Sequence, residues 1–241
     1  MRFSLLIEYD GTEYAGWQIQ NGQRTIQGEI EKALKIIYKE TIKITGAGRT
    51  DSGVHAKGQV AHFDIKKDVN LEKLQNSLNG LLLNDIRIKE IFESKNTFHA
   101  RYEAKWREYH YYIAKKPSAL NNKLVWHIPY LLDIKQMQKA SRQLLGKNNF
   151  KCFCRTISDV KNYICLIKKT QWLETEELLI FKIIANRFLH GMVRAIVGTL
   201  VDIGKGKLDS SVMKEILESK DRSKASQSAP AKGLILEKVY Y

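Results

Sequence analysis

Gly46-Ala47-Gly48-Arg49-Thr50-Asp51-Ser52-Gly53-Val54-His55-Ala56-Lys57-Gly58 is followed at once by QVAHFDI over residues 59–65, and that order fixes the class of fold. Four glycines in thirteen residues permit tight backbone and close approach of a ligand. The first three residues begin like the dinucleotide fingerprint G-x-G-x-x-G, but Asp51 stands where the third glycine belongs. A phosphate-cradling loop also needs a helix N-terminus behind it. QVAHFDI is β-branched and aromatic and reads as a strand. The G-x-x-x-x-G-K-[ST] pattern is absent as well. A doubly wound nucleotide fold is therefore disfavoured, and a strand–loop–strand arrangement is expected instead.

Working outward, residues 3–9 (FSLLIEY) read as a strand. Thr25 offers an N-cap to a helix with Ile26, Ile30, Ala33, Leu34 and Ile37 on one face. Residues 41–45 (TIKIT) alternate like a strand. Asn70 caps a second helix carrying Leu71, Leu74, Leu78 and Leu81 to Leu83, and IRIKEIF closes this half as a strand. The grammar then repeats loosely. REYHYYIAKK reads as a strand. Asp133 with Gln136 suggests a capping box for a helix through Leu145. Two strand-like runs between Cys165 and Ala185 flank the acidic turn ETEE. Residues 189–203 read as a mostly buried helix, Ser210 or Ser211 caps a short helix ending near Ser219, and GLILEKVYY is a final strand. The expected fold is α+β, in two similar halves over residues 1–104 and 105–241. Each half is expected to be an antiparallel sheet with helices on one face, with a catalytic cleft between the halves.

The chain has 241 residues, of which 44% are hydrophobic, and its formal net charge is +14. Such an excess of Lys and Arg predicts a polyanionic partner, because neutralising phosphates releases condensed counterions. The basic residues are dispersed, whereas a membrane surface usually calls for a concentrated basic run or amphipathic helix. No stretch approaches the ~20 apolar residues of a membrane span. Three cysteines, Cys152, Cys154 and Cys165, suggest neither a disulfide framework nor a metal site, because Cys152-x-Cys154 lacks ligand spacing. A reducing cytoplasm is the expected location, and no metal is expected.

The loop places one arginine, one aspartate, one histidine and one lysine among its glycines, a chemistry that a plain turn does not need. Its sequence GRTDSGVHA, with Ala47 upstream, resembles the signature of the tRNA pseudouridine synthases of the TruA family. IEYDGTEYAGWQIQN, FHARYEAKWREYHYYI, NRFLHGMVRAIVGTL and APAKGLILEKVYY are similar to further segments of that family, in family order and across almost the whole chain. The KCFC run with Cys152 and Cys154 departs from it, as does the absence of a C-terminal extension found in longer relatives. The resemblance implies isomerisation of uridine to pseudouridine at positions 38, 39 and 40 of the tRNA anticodon stem-loop, by a homodimer. It implies Asp51 as the nucleophile and Tyr109 as the active-site tyrosine.

The residue types suit that chemistry. The N1–C1′ bond breaks, the uracil turns and C5 bonds to C1′, so nothing is oxidised and no second substrate is consumed. No cofactor is required. A carboxylate serves as covalent nucleophile and stabilises positive charge developing at C1′. Arg49, two residues from Asp51, shares its face in an extended segment and suits phosphate contact or filling the stack left by a flipped base. The alternative for Arg49 is a salt bridge that stiffens the loop. Tyr109 can stack on uracil and bring its hydroxyl near C5; strand packing is its alternative. Arg194, one turn from His190 on an apolar helix, calls for a carboxylate or phosphate partner and reads as support for substrate binding. His55 reads as a loop hydrogen-bonding residue and His62 as a strand position. A non-catalytic RNA-binding module explains the charge but leaves Asp51 and its loop without a task.

The charge generates a prediction of its own. If about six phosphates are contacted, affinity for tRNA falls roughly a thousandfold between about 50 and 200 mM salt. Equilibrium binding across that range measures the slope, and a flat dependence contradicts a polyanionic partner.

Overall fold

The computed structural model describes residues 1–66, 68–155 and 162–241. The chain divides into two compact units. The first comprises Met1–Lys105 together with Ile235–Tyr241, and the second comprises Trp106–Leu234.

In the first unit, β1 (Arg2–Tyr9) leads to α1 (Ile26–Tyr38), a two-residue β2 (Thr45–Gly46), β3 (His55–Asp64), α2 (Leu71–Leu81) and β4 (Ile86–Ser94). Strand β1 lies between β3 and β4, antiparallel to both. Its alternation buries Phe3, Leu5, Ile7 and Tyr9. Across the ladder these face Phe63, Ala61 and Gln59 on β3, and Ile91, Ile88 and Ile86 on β4. Both helices begin where the sequence supplies a cap. Thr25 accepts from the Gly28 amide, and Asn70 accepts from the Lys73 amide. The apolar face of α1, with Ile26, Ile30, Ala33 and Leu34, is buried.

One expected strand is nearly absent. Residues 41–44 are not strand although Ile42 and Ile44 are buried. The Ile44 amide donates to Glu31 Oε1, and its carbonyl accepts from Gln27 Nε2, so side chains of α1 take the groups that a ladder needs. Only Thr45 and Gly46 pair with β3, opposite His62 and Ala61.

In the second unit, β5 (Trp106–Ala114), a short β6 (Trp126–His127), α3 (Ile134–Arg142), β7 (Gly146–Asn149), β8 (Ile164–Glu174), β9 (Leu178–Ala185), α4 (Met192–Gly204) and α5 (Val212–Ser219) follow in order. The sheet order is β5-β9-β8-β7, antiparallel throughout, with β6 parallel to the end of β5. Tyr111, Phe181 and Trp172 form one cross-strand row, and the Phe181 and Trp172 rings lie 4.8 Å apart. Helix α4, largely apolar, is buried along most of its length. It starts at Met192 rather than residue 189, because Gly191 takes a left-handed φ of 70° at the N-cap. Helix α3 ends at Arg142, short of Leu145. Asp133 caps it by accepting from the Gln136 amide, while the Asp133 amide donates to the Gly204 carbonyl instead of to a reciprocal side chain. Ser211 occupies the N-cap of α5 without a side-chain cap bond, and its amide donates to Asp209.

The last strand, β10 (Leu234–Tyr240), departs from the expected second half of residues 105–241. It pairs in parallel with β3, Ile235 opposite His55 and Leu236 opposite Ala56, and so belongs with the first unit. The first unit's sheet is therefore mixed rather than antiparallel. Close approach makes the pairing tight: a Cβ on Gly58 would fall 2.4 Å from the Glu237 carbonyl oxygen.

Candidate active site

The loop between β2 and β3 is held from three sides within the first unit. From the sheet, the Ala47 amide donates to the Val60 carbonyl at 2.7 Å, and Gln59 Nε2 donates to the Gly48 carbonyl at 3.0 Å. From β1, the buried Tyr9 hydroxyl shares a 2.8 Å hydrogen bond with the Thr50 hydroxyl. Burial pushes the Tyr9 phenol well above its ordinary range, so it stays neutral and available for that bond. From the turn after β1, the Trp17 amide donates to the Thr50 carbonyl, and the Gly53 amide and Ser52 hydroxyl donate to the Tyr14 carbonyl.

That turn is fitted to the loop by absent side chains. Gly16 has φ 105°, and a Cβ there would fall 2.6 Å from the Thr50 oxygen and 3.1 Å from the Asp51 carbonyl carbon. A Cβ on Gly11 would overlap the Val54 carbonyl. Gly46 lies under the Trp17 indole, where a Cβ would be 2.6 Å from the ring. The glycine resembling the start of a phosphate loop thus serves packing, and a strand follows the loop, as the sequence implied. The turn is itself anchored: the Tyr14 hydroxyl donates to Asp85 at 2.6 Å, and Arg24 pairs with Asp85 at 3.2 Å while its guanidinium lies 4.2 Å from the Tyr14 ring centroid.

Thr50 is buried between an exposed Arg49 and a half-buried Asp51, the alternation of an extended segment. The Asp51 carbonyl accepts from the Val54 amide, and Gly53, with φ 74°, completes the turn. Asp51 is therefore fixed through its backbone on a loop clamped along its length. Among the described residues Arg49 has no carboxylate within ion-pair distance, so the loop-stiffening salt bridge does not form. His55 is buried, its Nδ1 lying 3.1 Å from both the Gly11 amide nitrogen and an Asp10 carboxylate oxygen, which ties the loop's end to the β1 turn.

The second unit holds the other two expected residues. Tyr109 lies on β5, almost wholly buried, with the Phe188 ring edge-on at 5.1 Å. Arg194 lies on the first turn of α4. Its Nε donates to the Ala229 carbonyl at 2.8 Å, and the Ala229 amide donates back to the Arg194 carbonyl. Sequence reasoning gave no task to Phe188 or to Tyr9, Tyr14, Gly16 and Trp17. The signal for the last four was the pairing of glycines with aromatics in residues 9–17.

Cys152, Cys154 and Cys165 are buried in the second unit. Burial pushes the Cys165 thiol up to about 11 and the Cys152 thiol up to about 12, so both are protonated at neutral pH. Among the described residues, no three His, Cys, Asp or Glu side chains are grouped to hold a metal ion, and no helix is long and apolar enough to cross a membrane.

A family model described as tRNA pseudouridine synthase matches residues 5–103 and 140–241. The chain belongs to the tRNA pseudouridine synthase family. Proteins named tRNA pseudouridine synthase A are similar to it over its full length. That of Bacillus subtilis is 40% identical over 245 residues, covering 100% of this chain and 99% of its own. That of Fervidobacterium nodosum is 43% identical over 244 residues, with the same coverage. That of Halalkalibacterium halodurans is 42% identical over 238 residues, covering 97% of this chain and 90% of its own. Asp51, Arg49 and Arg194 fall within the ranges matched to the family model; Tyr109 falls between them, in a segment that the full-length relatives span.

Gly16 tests the clamp. Gly16→Ala forces a β-carbon against Thr50 in a backbone conformation that alanine resists, at a cost of about 1–3 kcal/mol. A melting temperature lower by several degrees is expected, together with loss of turnover under conditions where the variant remains folded. Gly80→Ala, in α2 with open space around it, is the control and should be neutral or stabilising. Wild-type turnover by Gly16→Ala would show that the clamp does not position Asp51.

Proposed function

We propose that this chain isomerises uridine to pseudouridine in tRNA, with Asp51 as the covalent nucleophile. The observation that carries the reading is Asp51 itself: a half-buried carboxylate on a loop whose backbone is clamped by Tyr9, Gln59 and the Tyr14–Trp17 turn, in a chain of this family. A fixed nucleophile reduces the entropy lost on reaching the transition state. The carboxylate holds one fragment while N1–C1′ breaks and the uracil turns to present C5, whichever of C1′ and C6 it attacks. The C5 proton then leaves, which needs a base.

Tyr109 fits that role. Phe188 packs edge-on against its ring; in this reading the ring stacks on uracil and its hydroxyl serves C5. Arg49, exposed beside Asp51, contacts the RNA backbone or fills the gap left by the extruded base. Arg194, fastened through Nε to the Ala229 carbonyl, supports substrate binding in this reading. Family membership supports positions 38, 39 and 40 of the anticodon arm as the targets, a homodimer as the working form, and the cytoplasm as the location. The +14 charge supports the RNA partner.

Two substitutions test the assignments. Asp51→Asn keeps shape and loses the nucleophile. It is expected to form no detectable pseudouridine while binding tRNA nearly as well as the parent. Release of tritium from C5-labelled uridine measures turnover, and mass spectrometry excludes deamidation back to aspartate. Appreciable turnover would reduce Asp51 to a loop cap. Tyr109→Phe keeps the ring and removes the hydroxyl, so the single-turnover rate is expected to fall by about 10²–10⁴-fold with binding preserved. A wild-type rate would leave Tyr109 a packing role alone.

A further inference from the structure

The segment after β4 builds a second feature in the first unit. Tyr102 is 77% exposed, the most exposed aromatic ring in the unit. Its ring lies 4.2 Å from that of His99, tilted by 32°, and His99 in turn lies 4.8 Å from His62 on β3. A column of three rings thus runs from the sheet to the surface. The Arg101 guanidinium stands 5.9 Å from the Tyr102 ring centroid.

The column is rigid. The Arg101 and Tyr102 amides both donate to His99 Nδ1, so the chain winds around the imidazole. The His99 amide donates to Glu103 Oε1, and the Glu103 amide donates back to the His99 carbonyl. His62 fixes the base of the column. Its Nδ1 accepts from the Ala100 amide, and it hydrogen-bonds the Thr45 backbone. Burial, then the nearby Arg2 charge, holds its imidazole below the ordinary range, so it is neutral at pH 7 and keeps Nδ1 able to accept. Tyr241 braces the other side: its hydroxyl donates to the Ala100 carbonyl, and its ring lies 5.0 Å from that of Phe98. A pre-ordered exposed ring loses little entropy when something stacks on it.

We propose that Tyr102 is a stacking platform for an unpaired base of the bound tRNA, other than the uridine being isomerised. The inference rests on the reading of this chain as a tRNA enzyme. The site of chemistry lies beside the His55 end of β3, and His62 is seven residues further along that strand, about 23 Å away at about 3.3 Å per residue. One nucleotide cannot occupy both places. The surroundings favour RNA over protein. Arg101 and Glu103, the residues on either side of Tyr102, are both exposed, so charged groups flank the ring. A second protein copy needs about 800 Å² of complementary surface per partner, whereas a base needs one flat face with a cation beside it.

Equilibrium binding of an unmodified tRNA transcript at fixed salt tests the platform with three variants of the full chain. Tyr102→Ala is expected to weaken binding by about 5- to 150-fold, the range given by about 1–3 kcal/mol per stacked base at about 1.4 kcal/mol per tenfold. Tyr102→Phe keeps the aromatic face and should bind like the parent. Tyr102→Leu keeps apolar bulk without that face and should resemble Tyr102→Ala. Thermal melts establish that each variant is folded, and sedimentation velocity reports its oligomeric state. Unchanged affinity in Tyr102→Ala, equal loss in Tyr102→Phe, or wild-type affinity in Tyr102→Leu overturns the proposal. So does a loss that accompanies dissociation of a dimer, which would assign the ring to a second copy of the chain. Failure of the platform is distinct from failure of the enzymatic reading, because the latter appears as absence of pseudouridine in the unsubstituted protein.

Discussion

The backbone of the Tyr14–Trp17 turn lies directly against the backbone of Thr50 and Asp51, and most of what is particular to the first unit serves that contact. It exists because Gly16 has no side chain and adopts a φ of 105°. Around it the chain supplies reciprocal hydrogen bonds: Trp17 to Thr50, and Gly53 and Ser52 to Tyr14. Buried backbone groups of a loop must find partners, and here the loop and the turn satisfy each other. A loop of this length would otherwise sample many conformations, with its carboxylate displaced in most of them.

The rest of the unit fixes the two parties to that contact. Strand β1 places Tyr9 under Thr50, and β3 supplies Gln59 and Val60 to the other edge of the loop. Asp85 holds Tyr14 through its hydroxyl, with Arg24 closing the network over the ring. Polar groups at the loop's ends are thus satisfied inside a largely apolar sheet core, which makes the position of Asp51 a property of the fold rather than of the loop alone. The histidines of β3 extend the same logic along the strand. His55 ties the β1 turn to the loop, and His62, seven residues on, ties the segment after β4 to the sheet. Each uses an imidazole nitrogen to accept a backbone amide.

In the second unit the decisive feature is burial. Tyr109 and Tyr111 project from the same side of β5, yet their tasks differ. Tyr111 is anchored by its hydroxyl to the Pro230 carbonyl, while Tyr109 is flanked edge-on by Phe188. Arg194 is fastened to the Ala229 backbone through one nitrogen, which orients the guanidinium without neutralising it at that contact. An arginine on an apolar helix calls for a carboxylate or phosphate; the structure adds a backbone carbonyl that holds its Nε.

Much of this was legible in the sequence because it is local. The caps at Thr25, Asn70 and Asp133, the apolar faces of α1 and α2, and the hairpin of β8 and β9 depend on residues within a few positions of each other. So does the chemical oddity of the loop around Asp51. What only the tertiary structure decided is non-local. Residues 41–44 have the pattern of a strand, but the side chains of Glu31 and Gln27 on α1 take the backbone groups of Ile44. The final strand has the composition of any edge strand, yet it pairs in parallel with β3, because the bare backbone at Gly58 admits Glu237 so closely. The fit of Gly16 against Thr50 joins residues thirty-four positions apart. Period and propensity speak for neighbours along the chain; they carry no information on which distant backbone will arrive to fill a hydrogen bond, and that arrival is what holds Asp51 in place.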